Sequence, residues 1–124
     1  MNILFVNYGG LTSNSLNHIA VFADELTRRG HACLIAIPDS LQASDTAGPS
    51  IVSYRSCTKG HDHFPNGKKA DIIHAWTPRE NVREFCVEYI SKHAPRARLL
   101  IHLEDNEQLL MERFTGENSE RLAT

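Results

Sequence analysis

Two adjacent glycines, Gly9 and Gly10, stand between a short apolar run and a helical pattern. Glycine there lets the backbone come close to a ligand, and the free N–H groups of a helix opening behind it favour a phosphate or carboxylate. The stretch is not G-x-G-x-x-G and lacks the lysine of a P-loop, which argues against a dehydrogenase and an NTPase. The competing structural reading is a turn that needs glycine for its backbone angles. A second group lies in Asp71–Glu80, with His74 near a strand end, the single tryptophan Trp76 at its mouth, then Thr77, Arg79 and Glu80. An indole beside polar groups stacks on a sugar face or a base, or closes a core as a lid. A third group, His102, Glu104, Asp105, Asn106 and Glu107, holds three carboxylates within four residues. Crowded acids at a strand end serve as general acid and base, hold a cation, or bond hydroxyls. Against that, Asp105 or Asn106 simply caps a following helix. Cys57, His61 and His63 share one loop and have zinc-ligand chemistry, but a fourth ligand is not evident.

These groups need elements to position them. Ile3–Val6 is a short apolar run of the kind buried on both faces of a parallel sheet. From about Ser15, Leu16, Ile19, Ala20, Phe22, Ala23 and Leu26 form one helical stripe, and Gly30 suits the left-handed position just past its end. His31–Ile37 is a second strand, stopped by Pro38-Asp39, so residues 3–37 have the size of a right-handed βαβ unit. Ser40–Ser50 reads as a loop or weak helix, Ile51–Tyr54 as a third strand, and Ser56–Lys69 as an irregular surface loop. Asp71–Trp76 is the fourth strand. Thr77 as cap, Pro78 at the first helical position and Glu80 completing a capping box predict a helix that buries Val82, Phe85, Cys86, Tyr89 and Ile90 before Ala94-Pro95 stops it. Arg98–Leu103 is the fifth strand, followed by a helix over Glu107–Phe114 and a frayed tail over Gly116–Thr124.

Alternating strands and helices imply an α/β fold: a Rossmann-like, doubly wound parallel sheet of about five strands in the order 3-2-1-4-5, with helices on both faces. Ligands in such sheets bind at the carboxyl ends of the strands near the switch point between strands 1 and 4. The 124 residues suffice for one domain, here 1–124, and are too few for two ordinary ones. Thirteen Lys+Arg against fifteen Asp+Glu leave a net charge of −2, which gives no reason to expect nucleic acid as a partner. No apolar stretch approaches the roughly 20 residues of a membrane helix, and no signal peptide is evident, so a cytoplasmic protein is expected, at most peripheral at the inner face of a membrane. Three cysteines without C-x-x-C spacing fit reduced thiols.

With these loops placed, the chain resembles the N-terminal domain of a GT-B glycosyltransferase of the large retaining group often called family 4. The likeness rests on Met1–Val6, the Gly9-Gly10 turn, Ala23–Leu26 running to Arg29-Gly30-His31, Asp71–Ala75 before Thr77-Pro78, and His102–Asp105. It covers the chain to about Phe114 and rests on these motifs in combination. The resemblance implies a nucleotide-sugar donor whose diphosphate is approached by Gly9 and Gly10. It implies a sugar, lipid or small-molecule acceptor beside His74, Trp76, Thr77, Arg79 and Asp105, and no obligatory metal or other cofactor. The family usually offers a histidine at the end of strand 5; Glu104 stands there, with His102 two residues earlier, and these two are the catalytic candidates. The resemblance also implies a missing C-terminal donor-binding domain, without which residues 1–124 transfer no sugar. The alternative is a stand-alone, non-catalytic module binding a nucleotide or phospho-ligand at the same glycine loop. A receiver-like signalling domain ranks last, because Asn7-Tyr8 and Arg55-Ser56 stand where that fold wants acids.

Overall fold

The computed structural model describes residues 1–39, 51–62 and 64–103. Its elements are β1 (Asn2–Val6), α1 (Asn14–Arg28), β2 (Ala32–Ile37), β3 (Ile51–Ser53), α2 (Tyr54–Thr58), β4 (Ile72–Trp76), α3 (Glu80–His93) and β5 (Arg98–His102). The five strands form one sheet in the order β3-β2-β1-β4-β5, every pair parallel. This is the expected order. Register sets Phe5 beside Ile35 and His74, and Trp76 beside His102.

All of β1 is buried because both sheet faces are covered. Alternation along the strand sends Leu4 and Val6 to one side, where they join Ile73, Ala75, Val82, Phe85, Cys86 and Tyr89 under α2 and α3. Ile3 and Phe5 go to the other side and meet Leu16, Ile19 and Ala23 of α1 with Ile35, Ile37 and Trp76. Of the expected stripes, Leu16, Ile19, Ala23, Val82, Phe85, Cys86 and Tyr89 are buried and Leu26 and Ile90 partly so, whereas Ala20 is half-buried outside the core and Phe22 is half exposed and lies against Trp76 at 5.6 Å between ring centroids. α1 ends as predicted. Gly30, at φ 95°, donates to Thr27 O, and His31 N donates to Leu26 O, which satisfies the last carbonyls of the helix.

Two segments differ from the sequence expectation. Part of the stretch read as loop is helix: α2 follows β3 directly, and the Ser53 side chain accepts from Ser56 N. Beyond it the chain carries buried Asp62, Phe64 and Ala70 rather than running over the surface. The Asp62 carboxylate is 2.8 Å from Lys69 Nζ and accepts a hydrogen bond from Tyr89 OH. Burial, chiefly, and this carboxylate hold the Tyr89 phenol above its ordinary pKa.

The start of α3 is the second difference. The capping box over Thr77 and Glu80 is not formed, and the helix is capped two residues later by Arg79, which makes no side-chain cap bond. Thr77 N instead donates to His102 O at 2.9 Å, so the β4–β5 ladder gains one bond before the chain turns. The predicted helix over Glu107–Phe114, the frayed tail and the loop over Ser40–Ser50 lie outside the described residues.

Candidate functional site

β1 lies between β2 and β4, with α1 covering one face and α3 the other, so the chain leaves β1 and β4 at the switch point of the sheet. The loop after β1 is organised by Asn7, which is fully buried. Its backbone N–H donates to Ala36 O at 2.9 Å. Its side-chain amide donates to Gly9 O and Ser13 Oγ, each at 2.9 Å, and accepts from Ser15 Oγ at 2.6 Å. Tyr54 OH donates to the Asn7 carbonyl from β3's side of the sheet. An Asn between an apolar strand and Gly-Gly is the sequence signal for this role, since its side chain readily bonds the backbone two residues on.

Neither Gly9 nor Gly10 has a positive φ; among the described residues the glycines that do are Gly30, Gly60 and Gly67. What marks these two positions is close approach by a neighbouring side chain, not backbone angle. A Cβ on Gly9 would lie 2.8 Å from Ser13 Cβ, and one on Gly10 would lie 1.7 Å from Asp39 Oδ2. The carboxylate of Asp39, just beyond β2, therefore rests against the glycine loop. The Ser13 hydroxyl donates to Gly10 O at 2.7 Å and makes no cap bond, and the first turn of α1 carries no acid. That helix start presents its N–H groups without a side-chain cap or an opposing first-turn charge.

The loop after β4 reaches the same rim. The Arg79 guanidinium lies over the Tyr8 ring at 4.4 Å, and Asn81 Nδ2 donates to Tyr8 O at 2.9 Å. The remaining predicted residues form a second group. Trp76 is not at the mouth: it is 1% exposed, stacked on His102 at 3.9 Å and built into the α1-side core. His74, partly buried, stacks on Phe5 at 5.1 Å and lies 6.0 Å from the His102 ring. Burial first, and His102 second, push its pKa below the ordinary value. Thr77 is fully buried between the two groups in sequence. The structure thus unites Arg79 with the Gly9-Gly10 loop, and His102 with His74 and Trp76; Glu104 and Asp105 lie outside the described residues.

Among the described residues no group of three His, Cys, Asp or Glu is placed to hold a metal. Cys57 is buried and its thiol is pushed up to about 12, chiefly by burial, while His61 is exposed; His63 lies outside the described residues. Cavities open away from the glycine loop. One of about 500 Å³ adjoins Thr27, Gly30 and Cys33, and one of about 240 Å³ lies between α3 and β5. No described helix is long and apolar enough to cross a membrane. The sequence matches no protein-family model and no curated protein.

Proposed function

We propose that the chain is the acceptor-side, Rossmann-like domain of a retaining glycosyltransferase that uses a nucleotide-sugar donor. The observation that supports this most is the union of the Gly9-Gly10 loop, the uncapped start of α1 and the Arg79 side chain at the switch point of a 3-2-1-4-5 sheet. Helix N–H groups and a guanidinium on one rim suit the diphosphate of a donor. Asp39 sets a condition on that reading, because its carboxylate must leave Gly10 before an anion takes the place. His74 and His102 offer proton-transfer groups on the acceptor side, with Thr77 beside them, Trp76 as their packing wall, and Glu104 and Asp105 as the acids that follow. A second domain of the transferase grips the nucleotide and excludes water from the reacting sugar.

In the protein joined to its donor-binding domain, Gly10→Val is expected to abolish turnover in a variant that still folds, the Asp39 carboxylate swinging away from the new side chain. Initial rates and a thermal melt check this; wild-type rates in the variant sink the assignment of the loop. The module reading is favoured by one fact, that the glycine loop and its rim are built within this chain. Calorimetric titration of the chain with nucleoside diphosphates separates the two. Saturable binding supports the module, and a flat trace supports a cleft that needs its second domain.

A further inference from the structure

Thr77 is the one non-glycine residue with a positive φ, 69°, among the described residues. A β-branched side chain is poorly tolerated there, and the following proline pushes its predecessor toward extended backbone. The Thr77 hydroxyl is also buried without a hydrogen-bond partner. A fold keeps such a residue only where its neighbours over-determine it. Here the neighbours are identifiable: Thr77 N is bonded to His102 O, and beyond the turn Asn81 and Arg79 are fastened to Tyr8.

The sequence meanwhile encodes a relaxed alternative. Thr77-Pro78-Arg79-Glu80 has the residues of a capping box with proline at the first helical position. Forming that box would place Thr77 in extended backbone and bond its hydroxyl to Glu80 N–H. The Glu80 carboxylate, now exposed, would reach back to Thr77 N–H in place of the bond to His102.

We propose that the β4–α3 connection is a two-state latch, closed when Thr77 is left-handed and open when Thr77 and Glu80 form the capping box. Closed, it holds Arg79 and Asn81 on Tyr8 and joins the two loops into one rim. Open, it lets α3 begin two residues earlier and releases the Arg79 and Asn81 contacts to Tyr8. That the joined, closed rim is the state that receives a ligand rests on the proposed function; the two states themselves do not.

The test is made on the 124-residue chain without ligand. Thr77→Gly removes the closed-state strain and the capping hydroxyl together, and Glu80→Ala removes the other half of the box. Backbone ¹⁵N relaxation dispersion is expected to show millisecond exchange at Tyr8, Gly9, Thr77 and Asn81 in the wild type, quenched in both variants. Thr77→Gly is also expected to melt higher, by on the order of 3–8 °C. A lower melting temperature for Thr77→Gly overturns the proposal. So does a wild type without exchange whose Tyr8 to Gly10 amide shifts are unchanged in both variants. A flat nucleotide titration would count against the module reading of the loop and leave the latch standing, whereas absent exchange with unchanged shifts in both variants removes the latch alone.

Discussion

At the scale of single residues, position in the core decides what each candidate can do. His74 and His102 are both partly buried on the α1 side of the sheet, and burial first, then its neighbour His102, hold the His74 pKa down. A histidine depressed in the folded state binds its proton more weakly there than in the unfolded chain. Its contribution to stability is therefore intact above the ordinary value of 6.5 and is lost as pH falls below it toward the folded pKa. His74→Gln is expected to flatten the fall in stability as pH drops below about 6.5, relative to wild type. Urea midpoints measured across that range check it, and identical slopes for the two proteins would reject the assignment. Asn7 works differently, spending every hydrogen-bonding group on shaping the loop rather than on a ligand.

At the scale of elements, the stretch from α2 to β4 is held by an ion pair that the sequence placed on the surface. Asp62 has no exposed side-chain area, whereas Lys69 is about a third exposed. Removing one partner leaves the other charge buried, and the two removals are unequal because only the ammonium has a path to water. Lys69→Met strands the carboxylate with Tyr89 and is expected to cost about 3–5 kcal/mol. Asp62→Asn keeps a polar partner for Tyr89 and frees Lys69 to turn outward, so it costs less. Chemical denaturation of both variants tests the inequality, and a smaller loss for Lys69→Met would show the pair to be exposed in solution.

For the whole molecule, two buried faces of one sheet set which thiols react. Cys57 on α2 and Cys86 on α3 face the sheet, and burial pushes both thiols up to about 12; Cys33 at the edge of the α1 side is only partly buried. Alkylation at neutral pH is expected to modify Cys33 first in the native protein, and all three only after unfolding. Mass spectrometry of digested samples checks this, and equal native labelling of Cys86 would contradict its place in the core. The strand β5 completes the picture at this scale, as Leu99, Leu100 and Ile101 remain exposed on both faces of an edge.

Much of this architecture was legible in the chain. Apolar runs of four to six residues, helical stripes between them, Gly30 and Ala94-Pro95 carry local information that propensity and periodicity express directly, and they determined the α/β class, the strand order and most buried residues. α2 escaped because five residues are too short for a period to register. The depth of Asp62 escaped because its partners, Lys69 and Tyr89, are 7 and 27 residues away. Trp76 and Thr77 show the same limit at the site. Each residue type pointed to a role at the strand mouth, but the alternation of β4 turned the indole into the core. A hydrogen bond to β5 then drew Thr77 out of the cap that its own sequence prescribes. Local sequence determines which elements form; packing across the sheet decides what each end residue faces, because that choice depends on groups brought together only by the fold.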